Sequence, residues 1–198
     1  MNSIATKRFT IAEYHRLAEI DLLGEDDRVE LICGEIVQMA AKGTAHTTLN
    51  KRLLRELAKL IGDRATLQSQ DPIALSNSSE PEPDLAILQN RSDDYLNNHP
   101  TPEDILLLIE ISDSSLSYDQ TIKLRLYAEA NILNYWIFNL LDRHLEAYSE
   151  PYQDLQGNFG YRLKRVTLRN ESIALPCLTD SLLDLSNVFP KISDESSR

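Results

Sequence analysis

Apolar positions along this chain keep two rhythms, one of three to four residues and one of two, and the switches between them mark out its elements. Ile11, Tyr14 and Leu17 recur at three-residue steps behind Thr10. Glu13 stands three residues after that threonine, so the pair forms a capping box and predicts a short helix over Ile11–Ala18. Leu49, Leu53, Leu57 and Leu60, joined by Leu54 and Ile61, draw a second and longer stripe, which predicts a helix from Thr47 to Ile61. Arg28–Ile36 alternates instead and holds the Cys33-Gly34 pair, the pattern of a hairpin whose strands are VELI and EIVQM.

After Gly62 the strand rhythm dominates. Strands are expected at Ala65–Gln70, Pro72–Leu75 and Asp84–Leu88, then at Leu106–Ile109 with Glu110 at its end. Asn90–Asp104, with Pro100 and Pro102, is a surface loop with room for one helical turn. Ser117 with Gln120 reads as another capping box and opens a helix over 118–129, which carries Lys123 and, four residues on, Tyr127. Strands at Tyr135–Leu141 and His144–Ser149 follow, joined by a tight Asp142-Arg143 turn. Tyr161–Val166 and Ser172–Ala174 complete the set before a last apolar patch, Leu182, Leu183 and Leu185. Helices interleaved with strands in this order predict an α/β fold, a mixed central sheet flanked by helices. The 198 residues form one domain over 1–192, followed by a frayed tail at 193–198.

Charge narrows the partners. Thirty-one acids against twenty bases leave −11, which argues against a generic nucleic-acid coat or a membrane binder. It does not argue against an enzyme acting on nucleic acid, because carboxylates recruit cations that reverse the local sign. No apolar run is long enough to span a bilayer, MNSIATKRFT lacks the core of a secretory signal, and Cys33 and Cys177 make no metal-type spacing. A cytoplasmic protein is the expectation.

Three acids fall on predicted strands: Glu30, Asp84 and Glu110. Charged groups on apolar strands are unfavourable unless paired or bound to metal. Two carboxylates brought together on neighbouring strands repel each other unless one is protonated or a hard divalent cation lies between them. A nearby lysine would then orient or deprotonate an attacking water and offset phosphate charge. Each residue also has a plainer use. Asp84 could cap backbone amides, and Glu110 could pair with Lys123 or Arg125. Lys123 could pair with Asp119 on a solvent face, while Glu30 could sit exposed on a hairpin edge. His46 reads as a cap or surface residue, Gln70 as structural, and Tyr127 and Trp136 as packing, with the Tyr127 hydroxyl available to Lys123. Lys51, Arg52, Arg55 and Lys59 read as the solvated face of their helix.

The succession VELICGEIVQM (29–39), EPEPDLAIL (80–88), IEIS (109–112) and KLRLYAEANILNYWIF (123–138) resembles the Uma-type family of putative restriction endonucleases, within the PD-(D/E)XK nuclease superfamily. The similarity covers roughly residues 9–150. It implies a restriction-endonuclease-like core and Mg²⁺-dependent hydrolysis of DNA phosphodiesters, with Mn²⁺ able to substitute. By the same resemblance Asp84 is the acid of the PD pair, Glu110 the acid of the E-x-K element and Glu30 the upstream acid. The common superfamily lysine position is Ser112 here, and Lys123 stands where this family moves its lysine onto the next helix. Asp84, Glu110 and the Ile111 carbonyl are the expected metal ligands. DNA bound weakly and salt-sensitively is the expected partner, and a homodimer through edge strands and the 182–185 patch the expected assembly. The alternative is a nuclease scaffold retained as a binding or regulatory module.

Overall fold

A computed structural model describes residues 6–24 and 27–190 of the chain. Helix α1 (Ile11–Glu19) begins at the expected capping box, with the Glu13 amide donating to Thr10 Oγ1 at 3.2 Å and the Thr10 amide donating to the Glu13 carboxylate at 2.9 Å. Strands β1 (Val29–Ile32) and β2 (Glu35–Gln38) form the expected hairpin. Its two turn residues, Cys33 and Gly34, both have positive φ, the requirement of a two-residue turn that follows strand twist. A side chain at 34 would also strike Arg8, whose Cβ lies 2.7 Å from where a Cβ would stand.

Helix α2 (Thr44–Ile61) starts one turn before the expected Thr47. Leu49, Leu53, Leu57 and Ile61 are sealed against the sheet, and the helix stops at Gly62. Strand β3 (Thr66–Gln68) pairs antiparallel with β4 (Leu85–Leu88), which pairs antiparallel with β5 (Ile105–Ser112). The expected strand at Pro72–Leu75 does not form. The segment is extended and makes scattered backbone bonds, Ile73 to Pro81 O, Ala74 to Pro100 O and Leu75 to Ser79 O, because Pro72 and Pro81 have no N–H with which to complete a ladder.

Strand β5 runs parallel to β6 (Asn134–Asn139), and the crossover between them holds α3 (Leu116–Tyr118), a π turn at Asp119–Lys123 and α4 (Leu124–Glu129). The expected capping box at Ser117 and Gln120 is absent: Ser115 is the N-cap, and the Gln120 amide is drawn to Glu146 instead. Strands β7 (His144–Gln153) and β8 (Phe159–Leu168) complete a six-stranded sheet in the order β3-β4-β5-β6-β7-β8. A second ribbon, β9 (Ser172–Leu175) with β10 (Leu178–Asp184), and helix α5 (Leu185–Val188) join α2 over one face. The β1–β2 hairpin and α4 cover the other.

The expected 182–185 patch is divided by strand alternation. Leu183 and Leu185 point into the core, and of these three leucines only Leu182 is open to solvent, so the patch is not exposed as a unit. The expected tail at 193–198 lies outside the described residues. Among the described residues no helix is long and apolar enough to cross a membrane.

What positions the site is one row across the sheet. Glu110 is in register with Ile137, and Ile137 with Glu146, so two acids stand on the same face two strands apart, about 10 Å by strand spacing. The π turn lies over that row and is pinned at both ends. Lys123 Nζ bonds Glu110 at 3.0 Å, and Gln120 donates to both oxygens of Glu146 at 3.0 Å.

Candidate active site

Asp84 is the last residue before β4, held there by Pro83, and its buried carboxylate turns toward the end of β5. Past Ile109 the β4–β5 ladder has ended, so the Ile111 amide donates to Asp84 Oδ2 at 2.9 Å. His46 Nε2 meets the same oxygen at 2.9 Å, and Lys42 Nζ lies 3.3 Å from Oδ1. Burial opposes the charge on Asp84, but His46, the Ile111 amide and Lys42 outweigh it and hold the carboxyl below its ordinary range.

Glu110 is the centre of the constellation. Its Oε1 accepts from Lys123 Nζ at 3.0 Å and from the Tyr127 hydroxyl at 2.7 Å, while the Asp84 amide donates to Oε2 at 3.4 Å. Burial, reinforced by Asp119, Asp84 and Glu30 and opposed by Lys123, pushes its carboxyl up to about 8. Glu30 reaches the same lysine at 3.2 Å from the hairpin side and accepts the Glu82 amide. Burial also works against the charge of Lys123, yet Glu110, Glu30 and Asp119 around it raise its pKa far above the ordinary lysine value. The ammonium is therefore permanent at neutral pH.

Glu30, Asp84, Glu110 and Lys123, which stand far apart in sequence, thus meet in one cavity of about 250 Å³. Several plainer readings are overturned. Lys123 and Asp119 do not pair on a solvent face, since both are buried, and Asp119 accepts instead from Ser112 and Ser115, each at 2.7 Å. Arg125 is exposed and leaves Glu110 to Lys123. Tyr127 gives its hydroxyl to Glu110 rather than to Lys123. His46 is neither cap nor surface residue but a buried partner of Asp84. The Gln70 side chain is exposed, and only its amide touches the site, donating to the Asp84 carbonyl. Trp136 packs in the core as expected.

Lys42, Glu82, Asp119 and Tyr118 also line the cavity; sequence reasoning passed over Lys42, Glu82 and Tyr118 and read Asp119 only as a surface partner of Lys123. Glu82 had a visible signal in the PEPD run. Burial, then Glu30 across the cavity, raises its pKa. Burial, with Glu30 next, pushes the Tyr118 phenol up to about 12, and that hydroxyl is buried without a partner, as is Nδ1 of His46.

The lining holds six carboxylates (Glu30, Glu82, Asp84, Glu110, Asp113 and Asp119) against two lysines and His46. Burial first, and then the neighbouring carboxylates, lifts Glu82, Glu110 and Asp119, and a hard cation with oxygen ligands would offset the crowded negative charge. Among the described residues no three His, Cys, Asp or Glu side chains form a ready-made metal shell. A cation held here by two carboxylates would complete its coordination with carbonyl oxygen and water, the usual habit of Mg²⁺. The donor set fits such an ion, in competition with the Lys42 ammonium at Asp84.

A family model described as Uma2, putative restriction endonuclease, matches residues 11–186. Among solved structures the chain is similar to a putative nuclease belonging to DUF820 from Anabaena variabilis ATCC 29413. That likeness has a TM-score of 0.67 at 13% identity and covers 91% of this chain and 97% of the other, so it speaks to the fold. No curated protein matches the chain.

Proposed function

Because the chain belongs to the Uma2 family of putative restriction endonucleases, we propose that it is a metal-dependent endonuclease that hydrolyses DNA phosphodiesters at the cavity between Asp84 and Glu110. One observation carries the reading. Two carboxylates from neighbouring strands converge, the Asp84 amide donating to Glu110 at 3.4 Å, and a buried ammonium lies 3.0 Å from the second of them. Asp84 and Glu110, with the Ile111 carbonyl, would hold Mg²⁺, and Mn²⁺ would substitute. When bound, the cation supplies Lewis acidity toward the phosphodiester and makes water more acidic.

The chain's own residues do the rest. His46 and the Ile111 amide fix Asp84 in one orientation, as partners of ligating groups commonly do. Glu110, whose carboxyl is raised, would have to be ionised to hold the cation. Lys123, held by Glu30 and Glu110, stays protonated, so it serves to orient the attacking water and to offset phosphate charge, not to remove a proton. Water attacks phosphorus, one P–O ester bond breaks, and the products are an alcohol and a phosphate monoester.

The test is nicking of supercoiled plasmid by the purified chain in Mg²⁺ or Mn²⁺, compared with Asp84→Ala and Glu110→Ala. Both variants lose the activity while remaining folded; cleavage that survives Asp84→Ala refutes the assignment. The second reading, a binding or regulatory module without efficient chemistry, draws on Lys42, whose ammonium stands 3.3 Å from Oδ1 of Asp84, a carboxylate that the cation would need. Calorimetry that detects no divalent-cation binding near neutral pH favours that module over the enzyme.

A further inference from the structure

The candidate site is acidic, as is the chain, so whatever brings a polyanion to it must be a local surface of opposite sign. Helix α2 provides one that begins at the cavity. Lys42, Gly43 and His46 line the cavity, and the helix leads away from it with no acid in its first turn. Its buried stripe, Leu49, Leu53, Leu57 and Ile61, packs on the sheet. The exposed positions Thr47, Lys51 and Arg55 follow at four-residue steps, so they share one side of the helix. By helical rise Lys51 stands about 7.5 Å and Arg55 about 13.5 Å along the axis from His46. Among the described residues Lys51 makes no ion pair. The other bases of the helix are already engaged in part: Arg52 donates to the Phe189 carbonyl, and Glu56 bonds Lys59 at 2.9 Å and Arg55 at 3.4 Å.

We infer that the exposed face of α2, from Lys42 at the cavity mouth through Thr47 and Lys51 to Arg55, seats the phosphate backbone of the DNA strand entering the site. This rests on the nuclease reading for the identity of the polyanion, but it concerns binding and is measured separately from cleavage. Side chains of this kind position a duplex without reading its bases. Each phosphate contact contributes about 0.9 to the slope of log K against log salt, whatever the sequence.

The test is fluorescence anisotropy of the full chain with labelled duplexes of unrelated sequence, in Ca²⁺ buffer across a salt series. Lys51→Gln with Arg55→Gln weakens binding to all duplexes alike and lowers the salt slope by about 1.8. Arg162→Gln with Arg165→Gln removes the same charge from exposed β8 positions and leaves the slope unchanged. Both pairs lie on exposed positions, and circular dichroism checks that they fold. An unchanged slope in the α2 pair, an equal loss in both pairs, or no DNA binding by the unaltered chain overturns the inference. If the α2 pair lowers the slope and the unaltered chain cuts nothing in Mg²⁺ or Mn²⁺, the nuclease reading fails while this surface stands. Cleavage with an unchanged slope gives the reverse.

Discussion

His46 Nε2 stands 2.9 Å from Oδ2 of Asp84, on the oxygen that also accepts the Ile111 amide. The contact ties the first turn of α2 to the end of β5 through one carboxylate. His46→Ala removes an orienting partner and not a ligand. Its expected effect is about a 10- to 100-fold loss in Mn²⁺ affinity and in cleavage. Calorimetric titration with Mn²⁺ checks it, with a thermal melt to confirm that the fold remains.

Lys123 is the cation between Glu30 and Glu110, with Asp119 nearby. Lys123→Met leaves the Glu30 and Glu110 carboxylates without a counter-charge, a loss of about 3–5 kcal/mol at pH 8 and above, where Glu110 is ionised. The raised pKa of the lysine means that its stabilisation is complete below the unfolded value, about 10.4, and fades only above it. Any pH dependence of the loss between pH 5 and 9 therefore comes from the acids. As pH falls they take up protons and the deficit shrinks. Denaturant unfolding of both proteins at pH 5 and pH 8 measures this.

Glu110, pushed up to about 8 by its burial and its acidic neighbours, must lose its proton to bind a cation. Mg²⁺ or Mn²⁺ affinity therefore rises with pH up to about 8 and levels off above it. Below that value binding releases close to one proton per ion. Calorimetry in two buffers of different ionisation enthalpy counts the protons, and Glu110→Gln abolishes the release.

Glu146 accepts from Gln120, Tyr148, His144 and Lys164. Burial opposes its charge, but the bonds from Tyr148, Lys164, Gln120 and His144 prevail and bring the carboxyl down to about 2. A depressed folded pKa stabilises above the unfolded value, and the gain is lost as pH falls from the ordinary range toward 2. Glu146→Gln is thus expected to cost about 1.5–3 kcal/mol at pH 7, the worth of one hydrogen bond to a charged group. The gap to the unaltered chain closes in acid. Because Gln120 belongs to the π turn that carries Lys123, cleavage falls with stability in this variant.

The strands and their faces were legible because β4, β5 and β6 are apolar runs, and Asp84 just before β4 and Glu110 within β5 stand out against them. The α1 box and the Cys33-Gly34 turn were legible because their chemistry is local. The meeting of Glu30, Asp84, Glu110 and Lys123 could be read from the order of the motifs. His46 could not: Gly43 caps α2 without a side chain, so Thr47 looked like the start and His46 fell outside the helix. Tyr118 gave no sign, because α3 is a single short turn, and Asp119 was placed on a solvent face because the π turn that buries it has no periodic signature. Gln120 imitated a cap while its true partner lay 26 residues away. Lys42 carried no signal beyond its charge.

With serine two places past Glu110, the sheet contributes only acids to this centre, and the ammonium arrives on the crossover. The proposed hydrolytic apparatus is thereby split between a ladder that fixes the carboxylates and a connector that aims the lysine. A single-residue insertion or deletion between Asp113 and Asp119 would turn that lysine by about 100° about its helix axis while leaving every strand in register. In this architecture the proposed chemistry is open to loss through the connector alone, with the scaffold left standing.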